Sequence, residues 1–371
     1  MLKEGRFGTF EATWVIALFC CAKLILLYPM TAIYLAGSAA WLFSIVAAST
    51  ALIGLQFIKL LLKRFKGQTI VEAGISAAGP FFGSAAAVLY LALFVLSSSL
   101  VLRQLTEAVK MTTLPNTPTW FIMIVFLGAS MYCASLGIEV VARVTSIIAV
   151  STLILLIVIG ILLIPQYDTK MLFPILGKGT GQLLLWGTIK SSNFSEALFA
   201  GLIVYPLQGY KNAVKSAKNA ILISLVMTAI VTAVCVMTLG PYQGEEAYLT
   251  ALRSTKNIMI GRFFQRMESV FLVFWVSVGT MYLSIGLYAI IATFARTFKL
   301  PHYKPLIPAF GILVLTISKV PHDFASSANI EVYGLRIYSG IVAYIVPLLL
   351  FITAVIRRKK SRTKQCKEGT A

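Results

Sequence analysis

Phe19-Cys-Cys-Ala-Lys-Leu-Ile-Leu-Leu-Tyr-Pro29 places one lysine in the middle of the first long apolar run. Apolar chain flanks Lys23 on both sides, over residues 12–19 and 24–34. A lysine at the centre of a membrane helix costs about 2.5–3.5 kcal/mol on insertion scales, so one held there faces a cavity or a partner. The alternative is that it snorkels to an interface. A second stretch echoes the first: Ala22-Lys-Leu-Ile-Leu-Leu-Tyr-Pro29 is matched by Ala200-Gly-Leu-Ile-Val-Tyr-Pro206.

The surroundings of both stretches set the class. The 371 residues are 58% hydrophobic and 12% charged, with mean hydropathy +0.88, which excludes an ordinary soluble domain. Apolar runs long enough to cross a bilayer recur along the chain, and they are continuous rather than alternating, which argues for helices and against a β-barrel. Ten spans are expected, at 12–34, 38–61, 79–108, 119–137, 141–164, 187–208, 217–240, 265–293, 306–320 and 337–356. No cleavable signal peptide is expected, because residues 1–7 lead straight into the first span without a small-residue cleavage site.

The net charge of +19 does not indicate nucleic acid, since the basic residues cluster at span ends and in the tail. They also fix an orientation. With the N-terminus inside, 20 Lys and Arg lie on the cytoplasmic side and 11 outside, and an even number of spans returns the basic tail to the inside. Residues 1–356 therefore read as one transmembrane domain and 357–371 as a basic tail attracted to anionic lipid. Two longer outer connections, 166–188 and 241–259, have room for short interfacial helices.

Under this topology span 1 runs outward and span 6 inward. The echoed stretches then stand upside down relative to each other, as in a five-plus-five inverted repeat whose first helices are broken around a substrate site. The residues that would line such a site are Cys20, Cys21, Ala22 and Lys23 in span 1, Ser98 in span 3, Asn193, Glu196, Ala200 and Gly201 in span 6, and Tyr282 in span 8. Glu196 is the one acidic residue of span 6. It pairs with a cation, for which Lys23 is the obvious choice, takes up a proton, or sits in water at the outer interface. Arg103 with Glu107, and Glu139 with Arg143, have the i,i+4 spacing of structural ion pairs. Hydroxyls of spans 5 and 8 are expected to bond their own backbone.

Nothing in the chain reads as catalytic. There is no Gly-rich phosphate loop, nucleophile elbow or paired-carboxylate motif. The five cysteines and His302 and His322 have no metal or disulfide spacing, and no cofactor is implied.

The most distinctive string opens span 8: Arg262-Phe-Phe-Gln-Arg-Met-Glu-Ser269, followed by Trp275. With Phe173-Pro-Ile-Leu-Gly177, Ser195-Glu196 and Pro206, it resembles the endospore germination permease family, the B subunits of nutrient germinant receptors. That family is similar to the amino acid-polyamine-organocation transporters. The resemblance implies an all-α polytopic membrane protein with a LeuT-like inverted repeat and broken helices 1 and 6. It also implies binding of a small nutrient, with an amino acid favoured, at the inner membrane of a dormant spore, in a complex with an A subunit and a lipoprotein C subunit. A proton-coupled amino-acid transporter of the same superfamily is the alternative. The chain departs from its wider relatives at Cys20-Cys-Ala-Lys23, where a Gly-x-Gly is common. There the Lys23 ammonium could replace a bound cation.

Overall fold

The computed structural model describes residues 5–24, 27–256, 258 and 267–359, without the side chains of Lys23, Leu24, Met267 and Glu268. The side chain of Lys23, the string at 261–266 and the tail beyond Lys359 with Cys366 therefore lie outside the described residues.

Among the described residues the helices fall in order onto the ten expected spans. Span 1 is α1 (Thr9–Leu24) plus α2 (Tyr28–Ala36), and span 2 is α3 (Ala40–Arg64). A short helix, α4 (Ile70–Ala78), leads to α5 (Pro80–Thr112), α6 (Thr119–Ser135) and α7 (Ile138–Leu162) as spans 3 to 5. Span 6 is α8 (Thr180–Ile189) continued by a 3-10 segment (Lys190–Gly201), and span 7 is α9 (Tyr210–Glu246), kinked at Gly240. After α10 (Thr250–Thr255) come α11 (Met267–Thr297) as span 8 and α12 (Leu306–Ser318) as span 9. Span 10 runs from α13 (Phe324–Asn329) through α14 (Arg336–Gly340) to α15 (Val346–Ile356), joined by π-helical turns at Ile330–Leu335 and Ile341–Ile345.

Among the described residues, six helical stretches are long and apolar enough on their own to cross a membrane. The outward faces are apolar: on α7, Ile147, Ile154, Ile157 and Ile161 recur at helical spacing and are all exposed, as suits a lipid-facing stripe. Hydroxyls of the spans bond backward onto their own helix, as Ser146 does to Ala142, Thr152 to Ile148, Thr280 to Val276 and Ser284 to Thr280.

Packing follows a five-span shift. Span 1 lies along span 7, and span 6 lies along span 2. Span 1 packs on span 5, and span 6 on span 10. Spans 3 and 8 pack on each other, with span 8 on span 4 matched by span 3 on span 9. Each contact maps onto its partner when five is added to both spans, so the two halves are structural repeats.

The echoed motif covers the join of α1 and α2 in span 1 and the end of the 3-10 segment in span 6. Span 1's α1 ends at Leu24 and span 6's 3-10 segment ends at Gly201, adjoining Leu202, the match of Leu24. Pro29 sits in the first turn of α2, where its missing N–H would have no helical partner anyway. Pro206 has no N–H to give the carbonyl of Leu202 one turn earlier. Arg296 of α11 supplies the donor instead, with Nη1 2.6 Å from that oxygen.

Two expectations are corrected. Span 10 does not begin at 337: the helix runs through from Phe324, because Glu331 and Arg336 neutralise each other inside the protein instead of ending the helix in water. Lys190 and Arg336, both expected at the outer surface, are only 1% and 2% exposed. Removing them from the outer count widens the basic bias toward the face carrying Gly5 and Lys359. The connection at 241–259 contains a short helix, α10, whereas the one at 166–188 leads through single 3-10 turns into α8.

Candidate ligand-binding site

Four short polar residues, Ser191, Ser192, Asn193 and Ser195, open the second half of span 6. Such side chains compete with the backbone for hydrogen bonds and weaken an α-helix. Here the chain is 3-10 for twelve residues, where runs beyond about four are uncommon. Its carbonyls are held from outside: Ser192 O accepts from Arg336 Nη1 (3.3 Å) and Ser339 Oγ (3.4 Å), and Ser191 O accepts from the Tyr344 hydroxyl (3.3 Å).

Arg336 is the centre of the site. Its Nη1 lies 3.2 Å from Glu196 Oε1 and 3.4 Å from Ser195 Oγ. Its Nε and Nη2 donate to Glu331 Oε1 at 3.0 and 2.8 Å. Glu331 Oε2 accepts from Gln104 Nε2 at 2.7 Å. Ser97 Oγ donates to Glu196 Oε1 at 3.1 Å and lies 2.7 Å from the Tyr282 hydroxyl. Lys190 donates to the Val332 carbonyl and sits 5.7 Å from the centre of the Tyr333 ring. Two carboxylates and two cations make the cluster neutral, which is how ionised groups tolerate a dry interior.

Beside the cluster lies a polar pocket. It is lined by Leu27, Tyr28 and Thr31 just past the break in span 1, by Lys190 and Asn193, and by Glu331 and Arg336. Its volume is about 20 Å³, room for one water-sized body, so a larger ligand requires these walls to part. On the other side an aromatic layer closes the bundle. Phe19 packs on Tyr282 (4.6 Å between ring centres), Phe199 (5.7 Å) and Phe94 (6.1 Å). The arrangement supplies both signs of charge beside a small pocket.

The structure brings together some of the expected residues and separates others. Glu196 and Tyr282 are in the cluster, and Asn193 lines the pocket. Glu196 is 1% exposed, which rules out the water-facing position, and its cation is Arg336. Cys20 and Ala22 are buried, with Cys20 within electrostatic reach of Tyr282 and Tyr344. Cys21 faces away, into an apolar cleft with Trp14, Ala149 and Met227. Lys23 lies in the last turn of α1, its side chain outside the described residues. Ser98 points at Gly286, while its neighbour Ser97 enters the cluster. Ala200 is buried, and Gly201 gives close passage to Ile70 of α4. Arg103 and Glu107 pair at 2.9 Å, as do Arg143 and Glu139 at 2.8 Å.

Arg336 and Glu331 are the residues that sequence reasoning missed, and in span 3 it is Ser97 and Gln104, rather than Ser98, that reach the cluster. Glu331 and Arg336 are five apart, which on an α-helix leaves them about 140° around the axis from each other. The π-turn between them places them on one face.

Comparisons with known proteins agree with this geometry. The sequence model of the Spore_permease family, described as spore germination protein, matches residues 6–324. Spore germination protein YndE of Bacillus subtilis (strain 168) is 24% identical over 368 residues, covering 96% of this chain and 98% of that protein. Spore germination protein KB of the same organism is 25% identical over 291 residues, covering 76% of this chain and 78% of that protein. Among solved structures, MhsT in complex with L-phenylalanine superposes with a TM-score of 0.58 at 15% identity, over 92% of this chain and 98% of that one. Mhp1, a nucleobase-cation-symport-1 family transporter in a closed conformation with bromovinylhydantoin bound, gives 0.57 at 11% identity, over 95% and 93%. At these identities the likeness is one of fold, and the fold is the LeuT-like inverted repeat.

Proposed function

The chain belongs to the spore germination permease family, and from that premise we propose that it is the membrane subunit of a germinant receptor that binds its nutrient between the broken spans. One observation carries the assignment to this site. The join of α1 and α2 in span 1, the start of the 3-10 segment of span 6 and the cluster around Arg336 all border one polar pocket. A zwitterion meets both signs of charge there, which favours an amino acid. MhsT, a structural neighbour, was solved with one.

Binding would open the 20 Å³ pocket and shift a two-state equilibrium, which requires the ligand to prefer one state. Lys23, near the end of α1, is the group we assign to balance the carbonyls at the break of span 1. The excess of Lys and Arg on the face carrying Gly5 and Lys359 supports cytoplasmic termini in the spore inner membrane. The family resemblance supports assembly with A and C receptor subunits.

Glu196→Gln and Lys23→Gln should each move the nutrient dose-response for germination while the protein stays in the membrane. An unchanged response in both would overturn the site. Uptake of radiolabelled amino acid by the isolated chain in proteoliposomes under a pH gradient would favour transport over sensing.

A further inference from the structure

A cavity of about 480 Å³ opens on the face that carries the termini, below the break in span 6. It is lined by Glu72, Ile75 and Ser76 of α4, and by Ala295, Arg296, Lys299, Leu300 and Pro301 at the end of α11. None of these residues belongs to the cluster around Arg336.

Its chemistry is polar and two-signed. Glu72 receives three donors on a single oxygen: Thr69 N at 2.9 Å, Thr69 Oγ1 at 3.0 Å and the Tyr205 hydroxyl at 2.6 Å, all to Oε2. Oε1 takes none of these. Arg296 is committed to the Leu202 carbonyl and to the face of the Tyr205 ring, 5.7 Å from its centre. Lys299 is exposed, and it occupies a backbone position with φ +54°. Leu300 N closes onto Ala295 O at 2.8 Å there, the helix-ending motif whose left-handed residue is ordinarily glycine. A lysine in that position is a cation placed where the backbone does not favour it.

We propose that this cavity is a second binding site for a small zwitterion of the amino-acid class. The ligand's ammonium is received by Glu72 Oε1 and Ser76, and its carboxylate by Lys299. The site rests on the proposed function for its ligand class but not on the pocket at Arg336. It couples to span 6 through Tyr205, whose hydroxyl holds the same carboxylate and whose ring lies under Arg296.

The test uses the full chain in lipid nanodiscs, with its native cysteines replaced and Ser76→Cys introduced, labelled by a methanethiosulfonate reagent. L-alanine should slow labelling several-fold, whereas acetate or ethylammonium at the same concentration should not. Glu72→Gln should abolish the protection. Because Glu72 also caps α4, Lys299→Gln, at an exposed position, repeats the test without touching that cap. Protection that persists in Glu196→Gln separates this site from the one at Arg336. The proposal fails if Ser76→Cys does not label, if single-charge solutes protect as well as L-alanine, if Lys299→Gln keeps full protection, or if Glu196→Gln loses it.

Discussion

Arg336 Nη1 lies 3.2 Å from Glu196 Oε1, joining the middle of span 10 to the 3-10 segment of span 6 across 140 residues of sequence. The pair is 2% and 1% exposed at its side chains, so neither charge has water to fall back on. Arg336 also holds Glu331, and through Ser97 the network reaches span 3 and Tyr282 of span 8. Three spans thus meet at one guanidinium, and a fourth joins through Ser97.

Removing that guanidinium leaves two buried carboxylates without their cation. Breaking a buried pair from one side costs about 3–5 kcal/mol. Arg336→Met should therefore melt well below the wild type in detergent. Adding Glu331→Gln, which removes one stranded charge, should recover part of the loss. Equal melting of Arg336→Met and wild type would contradict the network.

Adjacent serines give a sharper contrast. Ser97 links Glu196 to Tyr282, while Ser98 Oγ, against Gly286, is buried without a hydrogen-bond partner among the described residues. Stranding polar partners costs about 1–3 kcal/mol, whereas deleting a hydroxyl that has none is near neutral. Ser97→Ala should destabilise the protein and move the nutrient dose-response, and Ser98→Ala should do neither. The reverse ranking would refute the placement of span 3.

These two serines mark how far the sequence could be read. The echo around Tyr28 and Tyr205 located both breaks, since the motif carries its proline to each, and the lone carboxylate Glu196 pointed to the buried ion-pair cluster. Helix rotation was not legible: in a run apolar on every side, periodicity does not say which of Ser97 and Ser98 faces inward. The cation was also hidden. Arg336 stands beside apolar chain and read as a span end, and its pairing with Glu331 depends on a π-turn that no α-helical spacing rule reveals.

The second half of span 1, α2, is clamped by the loop after α7. Gly177 has φ +52°, and a methyl added there would run into the carbonyl of Ala36. Lys178 Nζ then donates to Tyr34 O at 2.8 Å and pairs with Glu245 at 3.1 Å. Left-handed backbone alone costs an L-residue about 1–2 kcal/mol, before the clash. Gly177→Ala should lower the melting temperature and expose a cysteine placed at Ala36 to labelling. Unaltered labelling would show that the loop does not hold span 1.

Pro206 and Arg296 form a dependency that a double-mutant cycle can measure. Leu207 N bonds Ile203 O at 3.2 Å in a helical pattern, so the preceding N–H would reach Leu202 O if residue 206 had one. It has none, and Arg296 takes the carbonyl at 2.6 Å. Arg296→Leu in the wild type leaves that buried oxygen unsatisfied, at about 1–3 kcal/mol, and removes the cation from the Tyr205 ring, at about 0.5–2 kcal/mol. Pro206→Ala restores a backbone donor. In that background Arg296→Leu should lose only the ring contribution, giving a coupling of about 1 kcal/mol or more between two residues that share no helix. Strict additivity of the two substitutions in thermal melts would mean that the proline and the arginine act separately, and that span 6 is held at its break by something other than this bond.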